Sequence, residues 1–580
     1  MTPSLPLPRR ETVQSVVDSS YIKIKNAYVP MRDGAELCVD IFLPLSEIKA
    51  PCLLSMGPYG KDIHAAEWGL PKTDLDAKMN RKIVPLGPDA CMEHADPIIW
   101  TKEFGYALMR ADTRGIGGSP GRLDPWGLER SQEIGADAEG QGESTQYLYD
   151  LIEWAGVQDW CTGRVAMSGI SYLGMVCWTA AMQKPPHLTA ILPWEAATHL
   201  YDFARQGGIE NSNFTRHWYT NAVLDYQHGV AEGVPEEVLI QHRVDWPKSV
   251  QEAEFRGQDT WSALEASRKL ADIQVPLYSA GNWMDTELHL PGNVVGFQRA
   301  SSKEKWLEMH SGNHLGPYYD PSNIQRQRQF LDYFMFDKRD NGLLDRPKVD
   351  LVIRKGSALF RRGEAEFPPA DTRLAILHFL EDGALSNTSA STTPNTRLAE
   401  YPGLTGHVVF TSKPLAHDFE LLGTGHLNLT ISAEAADMDI FVVFYDIGPD
   451  GERVIFTGNH DEPTDAVTRA YFRLSHRGPS DSKSVEAGSL LAHASKQSVE
   501  PNHAYSIQFP MQPCSYIWES GHRIGIEVAA RDSDSLLGAM RHEKGDRLDE
   551  GRFNGANRIL APSNVVLPNV ERSPDLLRPE

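Results

Sequence analysis

Cysteine is scarce in this sequence. The 580 residues contain six cysteines, at positions 38, 52, 91, 161, 177 and 514, and no two of them form a C-x-x-C pair. This spacing argues against a disulfide framework, so we expect free thiols in a reducing compartment. The predicted location is therefore cytoplasmic.

Long apolar runs are also missing. No stretch of about 18 apolar residues occurs, which is the length that a membrane-spanning helix needs. Residues 1–10 are polar and broken by proline, without the apolar segment of a secretory signal. We therefore expect neither a membrane span nor a cleaved leader.

Positive charge is in deficit. The chain has 56 lysines and arginines against 78 aspartates and glutamates, a formal net charge of −22. An acidic surface repels phosphate backbones and anionic lipids, so we expect no nucleic-acid and no membrane partner. Hydrophobic residues make up 41% of the chain, which is enough for a large core. The length predicts about three domains.

Short apolar segments bounded by turn residues predict the strands of a parallel sheet. They are residues 37–43, 51–56, 105–112, 164–168, 190–194, 276–280 and 305–309. Between them, apolar residues at helical spacing predict helices, for example over 145–155 and 324–336. Strands that are apolar on both faces and alternate with helices indicate an α/β fold.

The pattern divides the chain into four predicted parts. Residues 1–20 are predicted as an N-terminal arm, and residues 21–199 and 272–346 as the α/β core. Residues 200–271 are predicted as a helical cap, because they interrupt the strand–helix alternation. From 347 to 580 apolar and polar residues alternate with period two, which predicts an antiparallel β-sandwich. Residues 62–99 are longer than a plain connection, and their role stays open.

Ser171 is the candidate nucleophile. It lies in Gly169-Ile-Ser-Tyr-Leu-Gly174, between a predicted strand and a predicted helix. In that context a serine sits on a tight turn, and the backbone N–H of Tyr172 faces a developing oxyanion. The alternative is an ordinary serine at a helix N-terminus. The usual pattern G-x-S-x-G is not met, because the second glycine is displaced by one position.

A carboxylate and two histidines follow later strands in the order that a catalytic triad requires. Asp285 follows strand 276–280, and His310 and His314 follow strand 305–309. Chain order does not choose between the two histidines, and solvated or packing roles remain alternatives. The His310-x3-His314 spacing could hold a metal. Gly312 between them does not suit a helical ligand face and no third ligand is evident, so we expect none.

Several segments together resemble a known family. They are Met31-Arg-Asp-Gly34, Pro58-Tyr-Gly-Lys61, Asp112-Thr-Arg-Gly115 with Ser119 and Gly121, and Gly163 to Gly174, which is close to the family pattern G-x-S-Y-x-G. The sequence resembles the CocE/NonD-type serine hydrolases, which include bacterial cocaine esterase, the α-amino-acid ester hydrolases and the X-Pro dipeptidyl peptidases. The resemblance covers nearly the whole chain. It implies an α/β-hydrolase core, a helical cap and a C-terminal jelly-roll β-sandwich domain.

The resemblance also implies roles for particular residues. Ser171 would be the nucleophile, Asp285 the acid and His314 the base, with the Tyr59 hydroxyl and the Tyr172 N–H as oxyanion donors. For the substrate pocket we predict three tryptophans: Trp194, Trp218 and Trp283. The sequence departs from the family in two places. Asn282 interrupts a Gly–Trp pair before Asp285, and His310-Ser-Gly-Asn replaces Gly-Pro-Trp-x before His314.

The expected function is that of a serine hydrolase. It would transfer an acyl group from a small, fairly apolar ester, lactone or amide to water through an acyl-enzyme, without a cofactor. One alternative is an X-Pro dipeptidyl peptidase, which would need an acidic site for a substrate amine. A second is a non-hydrolytic acyltransferase or cyclase. The partner is a small-molecule acyl substrate, and a homodimer stays open as the assembly.

Overall fold

A computed structural model describes most of the chain. The described residues are 5, 7–46, 48–67, 87–126, 143–256, 258, 261, 270–389, 393–478, 493–534, 540–542, 547 and 549–580. Every predicted part has residues outside them. These are 1–4 and 6 of the arm, 47, 68–86 and 127–142 of the core, 257, 259–260 and 262–269 of the cap, and 390–392, 479–492, 535–539, 543–546 and 548 of the C-terminal part.

A largely parallel sheet forms the first half of the structure. Its strands are β1 (Val13–Val17), β2 (Tyr21–Pro30), β3 (Glu36–Leu43), β4 (Ala50–Gly57), β5 (Ala107–Asp112), β6 (Cys161–Ile170), β7 (Leu188–Trp194), β8 (Leu277–Asn282), β9 (Lys305–His310) and β10 (Val349–Lys355). In space they follow the order β1-β2-β3-β5-β4-β6-β7-β8-β9-β10. From β5 to β10 all neighbours are parallel, so these strands end at one edge of the sheet.

Helices cover both faces of this sheet. In chain order the α-helices are α1 (Glu143–Gly156), α2 (Ser171–Met182), α3 (Leu200–Ala204), α4 (Ser212–Trp218), α5 (Glu236–Leu239), α6 (Trp246–Glu252), α7 (Leu290–Arg299), α8 (Gly316–Tyr319) and α9 (Pro321–Met335). Short 3₁₀ or π segments are Ile98–Glu103, Gln206–Gly208, Tyr219–Val223, Leu224–Tyr226, Ile240–His242, Leu343–Asp345, Leu474–His476, Glu550–Arg552 and Pro574–Leu576.

Two apolar clusters account for the two covered faces. Leu54 of β4 packs in one cluster with α1 and α2, whereas Leu53 beside it packs in the other with α9. Successive side chains of a strand point to opposite faces, so an apolar run such as Leu53-Leu54 belongs in a sheet buried on both sides. The strands and helices predicted from the sequence are confirmed.

The ends of the core differ from the prediction. Residues 13–17 of the predicted N-terminal arm form β1 and pair antiparallel with β2, so this part of the arm is a strand of the core sheet. At the other end, β10 lies beyond the predicted boundary at 346 but pairs in parallel with β9. The core sheet therefore continues into the C-terminal half.

A β-rich domain follows. Its strands are β11 (Ala358–Glu364), β12 (Arg373–Phe379), β13 (Ala384–Ser386), β14 (Arg397–Pro402), β15 (His407–Ser412), β16 (Phe419–Gly423), β17 (His426–Ala433), β18 (Asp439–Ile447), β19 (Phe456–Thr457), β20 (Pro463–Thr464), β21 (Ala466–Arg473), β22 (Tyr505–Pro510), β23 (Cys514–Trp518), β24 (Arg523–Ala529), β25 (Ala556–Asn569) and β26 (Arg578–Pro579). One group centres on β25, which pairs with β12, β14 and β17. The other centres on β24, which pairs with β15 and β18. Side chains from both groups share one apolar cluster, as in a β-sandwich.

Two expectations from composition can be compared with the structure. All six cysteines are buried free thiols, as expected. Within the described residues, no helix combines the length and the apolarity needed to cross a membrane.

Candidate active site

The candidate site lies where neighbouring parallel strands end. Tyr59 follows β4, Ser171 follows β6, Glu195 follows β7, Asp285 follows β8 and His314 follows β9. These five strands are adjacent in the sheet, so their carboxyl ends bring the five residues to one edge. This edge is where enzymes with open α/β sheets carry their chemistry.

Ser171 sits on a tight turn between β6 and α2. Its φ angle is +54°, a left-handed conformation that is uncommon outside glycine. The turn needs two close approaches. A Cβ atom at Gly169 would lie 2.3 Å from the Cβ of Leu173, and one at Gly174 would lie 2.8 Å from the Cβ of Ala196. The displaced second glycine of the motif is therefore the residue that this turn requires.

His289 is the histidine that meets Ser171. Its Nε2 lies 2.9 Å from Oγ of Ser171, and its ring stacks on Phe203 with centroids 5.4 Å apart. Nδ1 is buried and has no hydrogen-bond partner among the described residues. Burial, and then the positive charge of His314, hold the pKa of His289 well below its usual range. Sequence analysis missed this residue, because nothing in its surroundings distinguishes it from other histidines.

His314 is paired with Glu195. Its Nδ1 lies 2.7 Å from Oε2 of Glu195, and Nε2 of His310 lies 2.8 Å from Oε1 of the same carboxylate. Chain order could not choose between His310 and His314. In the structure both histidines bond to the carboxylate of Glu195. The His314 ring is 5.5 Å from the His289 ring, so the four residues form a continuous group with Ser171.

Charge in this group is concentrated on the pair of His314 and Glu195. Burial alone would raise the pKa of Glu195, but the charge of His314 and hydrogen bonds from both histidines lower that pKa to about 2. Burial would likewise lower the pKa of His314, but the charge of Glu195 and the hydrogen bond to it, together with the other carboxyl groups nearby, raise that pKa to about 9. Sequence analysis missed Glu195, although its place directly after a predicted strand was a signal.

Asp285, the acid expected from the sequence, belongs to the same cluster. Atoms of Asp285, Glu195 and His314 lie within 4.8 Å of one another, a spacing at which three ligands could also hold a metal ion. Asp285 is only 1% exposed, and no side chain of the described residues donates a hydrogen bond to it. Burial raises the pKa of Asp285 well above its usual range. The structure thus brings Asp285 near His314 but gives the bond at Nδ1 to Glu195.

The Tyr59 hydroxyl lies beside Ser171. It accepts a hydrogen bond from Nε1 of Trp218 at 3.1 Å and is within hydrogen-bond reach of Ser171. The backbone N–H of Tyr172 is in the first turn of α2, where N–H groups have no partner inside the helix. Both expected oxyanion donors therefore flank the nucleophile.

The three tryptophans predicted for the substrate pocket lie in different places. Trp218 is at the site, through its bond to Tyr59. Trp194 is fully buried and stacks on His310 with ring centroids 5.0 Å apart. It therefore contacts the site through His310 and not through Ser171. Trp283 is fully buried too, and its Nε1 donates to the carbonyl of Val352. It packs in an apolar cluster with side chains of β9 and β10, and these contacts give a pocket role no support.

Glu93 adds a carboxyl group from the irregular segment 62–99. Its Oε1 lies 3.9 Å from Nε2 of His314, and its backbone carbonyl accepts the N–H of Ile170 at 3.4 Å. Oε2 is buried without a hydrogen-bond partner in the described part of the chain. Burial raises the pKa of Glu93 to about 8. Sequence analysis had no signal for this residue, because its segment showed no regular pattern.

Two family models match the chain. Residues 33–316 match the family described as X-Pro dipeptidyl-peptidase (S15 family). Residues 341–563 match the family described as X-Pro dipeptidyl-peptidase C-terminal non-catalytic domain. The first match covers most of the core and the cap, and the second covers most of the β-rich domain together with β10, the last strand of the core sheet.

Individual proteins are similar over most of the chain. Cocaine esterase of Rhodococcus sp. (strain MB1 Bresler) is 23% identical over an alignment of 647 positions, gaps included. The alignment covers 96% of this chain and 100% of that protein. Xaa-Pro dipeptidyl-peptidase of Ligilactobacillus salivarius (strain UCC118) is 21% identical over 81% of this chain and 64% of that protein. A crystal structure of a CocE/NonD family hydrolase from Staphylococcus aureus has a TM-score of 0.82 at 25% identity, over 95% of this chain and 94% of that chain. The fold class expected from the sequence is confirmed.

Proposed function

Because the chain belongs to the X-Pro dipeptidyl-peptidase (S15) family of serine hydrolases, which includes the CocE/NonD esterases, we propose that it hydrolyses a small, fairly apolar ester, lactone or amide through an acyl-enzyme on Ser171. The observation that carries this proposal is the left-handed turn at Ser171. Its Oγ has a histidine at 2.9 Å and the Tyr59 hydroxyl beside it. A hydroxyl held in this way can attack a carbonyl carbon.

The proposed base is His314, with Glu195 as the carboxylate on its Nδ1. His289 is the histidine within hydrogen-bond distance of Oγ, but its Nδ1 has no acceptor among the described residues that would stabilise a positive charge. His314 has such an acceptor at 2.7 Å. Because the imidazolium must be stabilised in the transition state, His314 is the better base.

The steps are those of acyl transfer in two halves. His314 takes the proton of Ser171 as Oγ bonds to the carbonyl carbon, and the oxyanion receives hydrogen bonds from Tyr59 and the Tyr172 N–H. The leaving group departs with the proton from His314. Water then attacks the acyl-enzyme, gives its proton to His314, and the acid product leaves Ser171 protonated.

Aromatic rings beside the nucleophile support an apolar substrate. The Trp126 ring centroid lies 4.4 Å from that of Tyr172, 5.7 Å from that of Trp218 and 6.1 Å from that of Phe203. Tyr172 follows Ser171 directly, and Trp218 bonds to Tyr59. Such a wall offers apolar contact area rather than charge.

Active-site labelling tests the proposal. A fluorophosphonate probe should label the wild type at Ser171, and Ser171→Ala should lose labelling and retain less than about one part in 10³ of kcat/KM on aryl esters. Ser168→Ala is the matched control. It removes a serine hydroxyl from β6, and that hydroxyl bonds to the Tyr318 hydroxyl at 3.0 Å and not to a residue of the site. Turnover by Ser171→Ala at the level of this control would refute the nucleophile.

The choice of base has its own test. We expect His314→Ala to lower kcat/KM as far as Ser171→Ala, since the two act as a unit. His289→Ala should cost much less. The reverse order would make His289 the base and leave His314 as a charged neighbour.

A second candidate substrate carries an amine, as a peptidase substrate would. Glu93 favours it, because a buried carboxyl with one oxygen unpartnered among the described residues could bind an ammonium group beside Ser171. Glu93→Gln should then lower kcat/KM for aminoacyl esters but not for the matching esters without the amine. Equal losses on both substrates would remove this candidate.

A further inference from the structure

A loop of the β-rich domain reaches the candidate site. Residues 458–462 connect β19 to β20 and are stiffened by their own hydrogen bonds. The N–H of Gly458 donates to the carbonyl of Glu462 at 2.7 Å, and the N–H of His460 donates to the Glu462 carboxylate at 2.8 Å. We name residues 458–462 the hairpin loop.

The hairpin loop bonds to the backbone of the proposed base. The N–H of His314 donates to the carbonyl of Asn459 at 2.8 Å. The His460 ring lies 6.5 Å from the His314 ring, on the side of the β-rich domain. The base is therefore held from the second domain as well as by its own strand.

Two asparagines of the core complete the contact. Nδ2 of Asn282 donates to Oδ1 of Asn459 at 2.8 Å, and Nδ2 of Asn313 donates to Oδ2 of Asp461 at 2.8 Å. Nδ2 of Asn282 also donates to the carbonyl of Gly312 at 2.8 Å and reaches Oε2 of Glu195 at 3.4 Å. The same asparagine thus joins the hairpin loop to the loop of His314 and to the carboxylate on that histidine.

These asparagines stand where the sequence departs from the family pattern. Asn282 interrupts the Gly–Trp pair, and Asn313 belongs to the stretch that replaces the residues before His314. Asn282, Asn313 and Asn459 are all buried. Losing one partner of a buried hydrogen bond leaves the other unsatisfied, so these bonds resist displacement of the loops that they join.

We propose that the hairpin loop positions His314 for catalysis, with Asn459 and Asp461 as its contact residues to the core. The inference rests on the proposed function, because it assigns the base to His314. It gives a part in catalysis to the domain whose family model is described as non-catalytic. The hairpin loop touches neither Ser171 nor a reacting atom in this proposal, so its members are positioning residues.

The expected effect is on turnover rather than on binding. A small displacement of a catalytic group can cost a large factor in rate, about 10² for roughly 1 Å. We therefore expect Asn459→Ala to lower kcat about tenfold or more while KM changes less than about twofold. The rate of fluorophosphonate labelling at Ser171 should fall by the same factor as kcat.

A double-mutant cycle tests whether the effect runs through Asn282. Asn282→Ala removes the same hydrogen bond from the core side. If the bond transmits the effect, the double variant loses no more activity than the worse of the two single variants. Asn428→Ala is the matched control, because it removes an asparagine–asparagine bond of 2.9 Å elsewhere in the β-rich domain.

A second variant approaches the loop at another point. Asp461 has a φ of +63°, so Asp461→Gly removes the bond to Asn313 without straining the backbone. It should lower kcat at unchanged KM as Asn459→Ala does. The melting temperature of each variant shows which of them is folded, and one folded variant suffices for the test.

The outcomes separate this inference from the proposed function. Wild-type kcat in folded Asn459→Ala and Asp461→Gly, with Ser171→Ala and His314→Ala inactive, would overturn the positioning role alone. Unfolding of both loop variants would also overturn it, because the loop would then be needed for the fold. An active Ser171→Ala or His314→Ala would instead refute the proposed function.

Discussion

Replacing Glu195 by glutamine should damage catalysis more than the matching change at Asp285. Glutamine keeps the length of the side chain and an oxygen that can accept from Nδ1 of His314. It removes the negative charge that lies 2.7 Å from this nitrogen. The substitution therefore isolates the charge from the hydrogen bond.

The pKa of His314 gives the size of the effect. Burial lowers this pKa, whereas the charge of Glu195 and the hydrogen bond to it are the largest effects that raise it, so that the pKa moves from 6.5 to about 9. That difference corresponds to about 3 kcal/mol of stabilisation of the imidazolium. If this stabilisation is lost from the transition state, kcat/KM of Glu195→Gln falls about 10²-fold on the plateau above about pH 9, where His314 is neutral in the wild type as well.

Asp285→Asn is the matched comparison. No side chain in the described part of the chain bonds to Asp285, and burial raises its pKa well above the usual range, which favours the neutral acid. A group that is already neutral loses little when it becomes an amide. We expect less than about a tenfold fall in kcat/KM for Asp285→Asn.

The pH dependence of kcat/KM adds an independent readout. Below a pKa of about 9 His314 holds a proton and cannot accept one from Ser171, so wild-type activity should rise with pH up to that region. Without the charge of Glu195 the proton is held less tightly. The rise should therefore move to lower pH in Glu195→Gln and stay in place in Asp285→Asn.

The assay is initial-rate hydrolysis of an aryl ester from pH 6 to about pH 10, with melting curves to confirm folding. One result would refute the reasoning. If Asp285→Asn loses about 10² in kcat/KM while Glu195→Gln is close to wild type, Asp285 orients His314 and Glu195 serves to hold His310.

Two more predictions concern neighbours of the nucleophile. Tyr59→Phe keeps the ring and removes the hydroxyl beside Ser171, so we expect kcat to fall about 10²-fold with little change in KM, and a near-wild-type kcat would retire the oxyanion role. For Glu93→Gln we predict a change in how the melting temperature depends on pH. Burial raises the pKa of Glu93 to about 8, so the folded protein keeps a proton that the unfolded chain loses above its ordinary value of 4.5. Wild-type melting temperature should then fall between about pH 5 and pH 8, by more than that of Glu93→Gln, and parallel curves would contradict it.

Much of the scaffold follows from local sequence. The strands are apolar runs between turn residues, as in 51–56 and 190–194, and the structure has them as β4 and β7. Parallel strands end at one edge, so the order of Ser171, Asp285 and His314 already predicts that they meet. The period-two pattern after residue 347 likewise predicted a β-sandwich. The apolar runs and the period-two alternation are patterns among residues close together in the sequence, so they can be recognised without knowing the tertiary structure.

The arm and the pocket could not be predicted in the same way. Residues 13–17 form a strand because β2 offers them a partner. Trp283 is one residue from Asn282, yet it packs toward Val352 while Asn282 bonds to Asn459. The direction of a side chain in a loop depends on the backbone conformation of that loop. The amino-acid composition of the loop does not determine this conformation.

The sequence by itself determined the α/β architecture, the turn at Ser171 and the family. Only the tertiary structure decided which groups touch. His314 meets Glu195, 119 residues earlier, Ser171 meets His289, 118 residues later, and Asn282 meets Asn459, 177 residues later. The physical reason is that a hydrogen bond depends on positions within a few tenths of an ångström. Those positions are set where the loops of the core, the segment of Glu93 and the β-rich domain pack together.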